Sequence, residues 1–121
     1  MADYVGVDVI EIARIEGAVA RWGEAFLRRV YTESELGRYR NNSSSLAARF
    51  ACKEAVMKLL GTGITSIKWR EVEILSYPSG KPLLNLYGRA KDEAERLGLG
   101  EIAISLSHCR EYAVAAATGS S

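Results

Sequence analysis

Histidine is almost missing from this chain, which has one, while cysteine and proline occur twice each. The single histidine and the two cysteines, Cys52 and Cys109, have no metal-type spacing, which argues against a structural zinc site. An excess of either charge is also missing. The 16 basic and 15 acidic residues leave a net charge of +1, which argues against broad nucleic-acid binding. There is no N-terminal apolar run of the signal-peptide type and no stretch of 18 apolar residues. A membrane span and export by that route are therefore not expected, and the expected compartment is the cytoplasm. Without a secretion signal, the glycosylation sequons in Asn41-Asn42-Ser43-Ser44 carry no meaning. No internal repeat or low-complexity tract is present. What remains is ordinary globular composition, 48% hydrophobic and 26% charged, in 121 residues. That length leaves no room for two full cores, so residues 1–121 are expected to form one domain.

The most informative stretch is 49–64, Arg49-Phe-Ala-Cys-Lys-Glu-Ala-Val-Met-Lys-Leu-Leu-Gly-Thr-Gly-Ile64. At 100° per residue, Cys52, Val56, Leu59 and Leu60 make one apolar stripe of a helix, with Phe50 and Met57 roughly opposite. Such a helix is either central in its domain or borders a second surface, a partner subunit or a ligand. Glu54 and Lys58 sit beside the second strip, one turn apart. On their own they read as a surface ion pair. Gly61 reads as the left-handed residue that ends the helix. Gly61-Thr62-Gly63 is not a phosphate-binding P-loop, because that motif precedes a helix and this one follows it.

Taken in order, residues 4–10 alternate as a strand, with Val5, Val7 and Val9 on one face and Gly6, Asp8 and Ile10 on the other. Asp8 is out of place among apolar neighbours, either as a site carboxylate or as an N-cap answered by Glu11. Residues 12–22 follow as a helix with Ile12, Ile15, Val19 and Trp22 as its apolar face. Arg14 and Arg21 share another face, with Arg28 and Arg29 following, which alone reads as a solvated basic surface. Thr32-Glu-Ser-Glu35 is a capping box for a short helix. Ser44 or Ser45 is the expected N-cap of the helix that carries Glu54. Residues 69–76 and 82–87 read as a hairpin, 88–97 as a short polar helix with Ala90, Ala94 and Leu97 inward, and 101–107 and 112–118 as a strand and its return. The alanines at 113 and 115–117 would let another backbone or sheet approach closely.

Three stretches stand out together: Gly6-Val-Asp-Val-Ile-Glu-Ile-Ala-Arg-Ile15, residues 49–64, and Ser105-Leu-Ser-His-Cys-Arg-Glu-Tyr-Ala-Val-Ala115. In this order and spacing the chain resembles the 4′-phosphopantetheinyl transferases, more narrowly the small bacterial holo-[acyl-carrier-protein] synthase type. The resemblance runs essentially end to end. Its most specific part is Phe50-Ala-Cys-Lys-Glu-Ala-Val-Met-Lys joined to Gly61-Thr-Gly-Ile64. Cys52, Leu59 and Cys109 depart from the commonest form at positions not expected to touch the chemistry.

The resemblance implies transfer of the phosphopantetheine arm of coenzyme A to a serine of apo-acyl carrier protein, with release of adenosine 3′,5′-bisphosphate. Asp8 and Glu54 would then share one Mg²⁺, a cation that commonly takes one or two carboxylates and completes its shell with water and substrate phosphates. Lys58 would neutralise the departing phosphate or donate its proton. Glu54 or a metal-bound water would take the serine proton. Ser107 and His108 resemble the coenzyme A-binding turn, with His108 as general base or structural residue the lesser alternatives. Gly61, Thr62 and Gly63 would let the nucleotide lie close to bare backbone. Arg49 and Lys53 are candidates for the 3′-phosphate. The Arg14–Arg21 face is the candidate dock for the acidic carrier.

By pattern the fold is α+β, an antiparallel sheet packed against a long central helix and shorter helices. The resemblance implies a homotrimer with active sites between subunits. Two other classes fit parts of the pattern. A Mg²⁺-dependent nuclease could use an Asp, a Glu and a Lys, and a non-catalytic carrier-binding module could use the basic face alone.

Overall fold

The computed structural model describes residues 2–61 and 66–121. The chain runs β1 (Asp3–Glu11), α1 (Ile12–Trp22), α2 (Glu24–Val30), α3 (Glu33–Tyr39) and α4 (Ser43–Leu60). A 3₁₀ turn at Trp69–Glu71 leads to β2 (Val72–Ser76), β3 (Pro82–Leu86), α5 (Gly88–Arg96), β4 (Ala103–His108) and β5 (Tyr112–Ser120). The fold is α+β, and every strand pairing is antiparallel. One sheet has the order β1-β5-β4 and the other is the β2-β3 hairpin.

α4 is the central element. The Asn42 side chain caps it by accepting from the Ser45 backbone N–H at 3.0 Å, so the cap precedes the serines expected for that role. Gly61 ends it at φ 76° in the left-handed conformation that costs glycine little. Of the two settings left open for a helix apolar on both sides, the central one holds within this chain. Cys52, Val56, Leu59 and Leu60 are buried, and so is Met57 from the second strip. Phe50 is half-buried and stacks on Trp69, with ring centroids 4.7 Å apart. Burial also pushes the Cys52 thiol up to about 12, so it behaves as a small core residue.

The β1-β5-β4 sheet lays its small-residue face on α4. Gly6, Ala113, Ala115 and Ala117 are buried there. The backbone that the alanines let close is thus the chain's own helix. The valines of β1 face away, with Val5 70%, Val7 58% and Val9 62% exposed. β1 continues through Glu11, which ends as the α1 N-cap with no side-chain bond. Asp8 is therefore a mid-strand residue, and the N-cap alternative for it falls.

The remaining differences are local. Residues 69–71 wind into the 3₁₀ turn ahead of β2, and α2 is a helix that the sequence pattern did not single out. Trp22, expected inside, is exposed at the end of α1 with the Arg21 guanidinium 5.0 Å from its ring centroid. The Thr32–Glu35 capping box forms as expected. Glu35 N–H donates to Thr32 Oγ1 at 3.2 Å, and Thr32 N–H donates to Glu35 Oε1 at 2.9 Å. No described helix is long and apolar enough to cross a membrane.

Candidate active site

The strand alternation of β1 turns Asp8 toward α4, beside the glycine that lets the helix approach. Lys58 Nζ on α4 donates to Asp8 Oδ1 and to the Val7 carbonyl, both at 3.1 Å. Glu54 lies one turn earlier on α4 and shares a cleft of about 650 Å³ with Asp8. Arg14, Arg21, Trp22 and Phe26 from the α1–α2 segment and Phe50 from α4 line the same cleft. Residues 8, 14, 21, 54 and 58 thus converge from three elements.

The electrostatics mark Glu54 as the strained member. Partial burial and then the Asp8 charge raise its pKa, while Lys58 and Arg14 oppose the shift. Among the described residues no donor hydrogen-bonds its carboxylate. Two carboxylates, one of them strained by burial and then by the other's charge, form a donor set that suits a hard dication. Among the described residues no group of three or more His, Cys, Asp or Glu side chains could hold a metal. A cation held by Asp8 and Glu54 would therefore complete its shell with water and substrate oxygens.

Other expected site residues stand elsewhere. Ser107 and His108 occupy the exposed end of β4, opposite Val114 and Ala113 of β5. Asp8 pairs with Ala115 on the other side of β5, so two strand spacings, about 10 Å, separate β1 from β4. Thr62 and Gly63 lie outside the described residues, while Gly61 is exposed at the end of α4.

Arg49 and Lys53 project into the protein instead of into the cleft. Arg49 is buried. It donates to the Ile74 carbonyl at 3.1 Å and to Ser76 Oγ at 3.0 Å, with its guanidinium 3.6 Å from the Tyr39 ring centroid. Lys53 is fully buried and pairs with the equally buried Glu35 at 2.9 Å. Its ammonium also donates to the carbonyls of Trp69 and Val72. Burial pulls the Lys53 ammonium below its ordinary value, against the pull of Glu35. With its donors engaged and no exposed surface, Lys53 does not fit the phosphate contact expected of it.

Sequence reasoning missed three contributors. Phe26 and Trp22 line the cleft, and Trp22 carried the signal of a large apolar residue beside an arginine at a helix end. The role of Gly6 was visible only as a glycine within a strand, the usual mark of a close backbone approach.

Comparison with known proteins covers most of the chain. The model of the 4′-phosphopantetheinyl transferase superfamily matches residues 4–117. A holo-[acyl-carrier-protein] synthase of Dehalococcoides mccartyi is 53% identical over 112 residues, 93% of each chain. That of Herpetosiphon aurantiacus is 48% identical over 121 residues, covering 94% of this chain and 95% of the relative. Among solved structures, the Helicobacter pylori synthase in complex with coenzyme A superposes with a TM-score of 0.87 at 33% identity, covering 96% of this chain and 99% of that one. The Neisseria meningitidis synthase gives 0.86 at 29% identity, covering 98% of each.

Proposed function

The chain belongs to the 4′-phosphopantetheinyl transferase superfamily, and from that premise we propose how its own residues carry the transfer. The enzyme moves the 4′-phosphopantetheine moiety of coenzyme A onto a serine hydroxyl of apo-acyl carrier protein and releases adenosine 3′,5′-bisphosphate, a step that supports fatty acid biosynthesis. The observation that carries the residue assignment is that Asp8 and Glu54 share one cleft and Lys58 pairs with Asp8 at 3.1 Å.

In the transfer, the serine oxygen attacks the β-phosphorus, and the bond from that phosphorus to the bridging oxygen breaks. The serine proton passes to Glu54, whose raised pKa makes it a better acceptor than an ordinary carboxylate. Lys58 meets the negative charge that grows on the departing bisphosphate, where a fixed cation is most effective. Asp8 holds the Lys58 ammonium in place at 3.1 Å. Asp8 and Glu54 would also hold Mg²⁺, which when bound offsets the charge of the pyrophosphate.

Gly61, Thr62, Gly63, Ser107 and His108 are assigned to coenzyme A, and Arg49, buried and bonded to Ile74 and Ser76, is assigned to packing. Lys53 is assigned to holding α4 against β2. Arg14 and Arg21 on the cleft wall are assigned to the acidic carrier. A homotrimer with sites shared between subunits belongs to the same proposal. In its support, the outer sheet face leaves Val5, Val7, Val9, Tyr112 and Val114 exposed, and solitary sheets rarely leave such a face bare. The separation of Ser107 and His108 from Asp8 also favours a site to which a second copy contributes. One transferase domain over residues 1–121 and a cytoplasmic location complete the proposal, the first supported by the match over residues 4–117.

The test is intact-mass analysis of apo-acyl carrier protein incubated with coenzyme A, Mg²⁺ and the protein. A gain equal to one phosphopantetheine group is expected. An unchanged carrier mass would overturn the assignment.

A further inference from the structure

Two carboxylates lie buried where α3, α4 and the β2-β3 hairpin meet, away from the reacting groups. Glu35 has no exposed surface. It accepts from the Thr32 and Ile74 backbone N–H groups at 2.9 and 2.8 Å and from Lys53 Nζ at 2.9 Å. Glu73 accepts from Thr32 Oγ1 at 2.6 Å, Asn85 Nδ2 at 3.1 Å and the Tyr87 hydroxyl at 3.0 Å. Thr32 joins the two, because its Oγ1 also accepts from the Glu35 N–H. Among the described residues no buried side-chain nitrogen or oxygen lacks a partner, and a fully satisfied network of this kind is rigid.

Lys53 carries that rigidity into α4. Its ammonium commits its three donors to Glu35 on α3, the Trp69 carbonyl in the 3₁₀ turn and the Val72 carbonyl of β2. The next residue is Glu54, and the one after it, Ala55, has its backbone against Gly6 of β1. Successive helix residues point about 100° apart. α4 is therefore held at residue 53 from the hairpin side and at residue 55 from the sheet side, with Glu54 between. Glu54 itself receives no hydrogen bond among the described residues, so the helix backbone places its carboxylate. A carboxylate about 5–6 Å from the helix axis moves about 1 Å when the helix rolls by about 10°. A displacement of that size at a reacting group can cost about a hundredfold in rate. Stability alone does not call for an ion pair here, since well-packed apolar residues often replace one without loss. What the pair adds is direction, because its bonds fit one roll of the helix.

We infer that Glu35 is a positioning residue of the transfer, which acts through Lys53 to fix the roll of α4 and with it the place of Glu54 in the cleft. The inference rests on the transferase reading, in which Glu54 takes the serine proton.

Steady-state kinetics at saturating Mg²⁺ and melting temperatures test it on wild type, Lys53→Met, the double variant Lys53→Met with Glu35→Gln, and Thr32→Val. Lys53→Met leaves a buried charge unpaired and should melt lower, and the double variant removes that charge and should recover much of the loss. Its kcat should still stay down about tenfold or more, with the KM values for coenzyme A and carrier within about twofold of wild type. Thr32→Val keeps the ion pair and the side-chain volume but removes both hydroxyl bonds. It should lower kcat about threefold at unchanged KM, and it carries the test if the core variants do not fold. A kcat that returns to wild type along with the melting temperature, an undiminished kcat in Thr32→Val, or a raised coenzyme A KM with normal kcat would overturn the inference. Absence of transfer by the wild type is a separate result that removes the transferase reading and this inference with it.

Discussion

A Cβ built on Gly6 would sit 1.8 Å from the backbone carbonyl oxygen of Ala55 and 2.9 Å from the Leu59 nitrogen. β1 therefore rests on the backbone of α4 at the point where Asp8 must meet Lys58. The missing side chain of residue 6 sets the spacing of the site two residues later.

Gly6→Ala should consequently damage both stability and turnover. The clash is with backbone, which cannot rotate away, so the strand must move off the helix. Overpacking of this kind costs about 1–3 kcal/mol or more. Thermal melting and transferase assays on the same preparation check it. A normal melting temperature with full activity would show that β1 is not held by this contact.

Lys53→Met should destabilise by about 3–5 kcal/mol, because it leaves Glu35 charged and without its cation in the core. Glu35 also accepts from the Ile74 and Thr32 backbone N–H groups at 2.8 and 2.9 Å, so α3, α4 and β2 meet at this carboxylate. Denaturant unfolding gives the value. If Lys53→Met were as stable as wild type but bound coenzyme A weakly, the lysine would serve the nucleotide after all.

Much of this was legible from residue order. Asp8 in an apolar strand and the Thr32–Glu35 box are local patterns that formed as read, whereas Lys58, one turn beyond Glu54, pairs with Asp8 instead of with Glu54. The Lys53–Glu35 pair was not legible, since a capping-box glutamate ordinarily faces water and its partner lies on another helix. The alternation of β1 identified its two faces but not which one is buried. Apolar side chains usually go inside. Here Gly6 and the alanines of β5 let α4 approach their face, and the valines remain outside.

That exposed face gives a prediction about assembly. Val7→Lys should shift the protein from an oligomer toward monomer and lower activity, since a charge at the middle of a buried interface has no partner. Sedimentation velocity of wild type and variant decides it. A monomeric wild type, or an unshifted variant, would count against copies packing through the valines.

The strain on Glu54 has a definite sign with pH. Its folded pKa is raised above the ordinary 4.5, so folding favours the neutral acid. That contribution is full below 4.5 and is lost as pH rises through the raised value. Glu54→Gln keeps the neutral form at every pH. It should melt above wild type near neutrality without Mg²⁺, with the gap closing in acid. Equal melting temperatures at neutral pH would mean that Glu54 carries no such strain.

The most direct measurement is the double-mutant cycle of Asp8→Ala and Glu54→Ala, read as transfer to apo-acyl carrier protein at saturating Mg²⁺. If the two carboxylates act on one shared centre, each single should lose about a hundredfold or more in kcat/KM. The double should then be little worse than the poorer single. A near-normal rate in either single, or losses that multiply in the double, would contradict a shared Asp8–Glu54 centre.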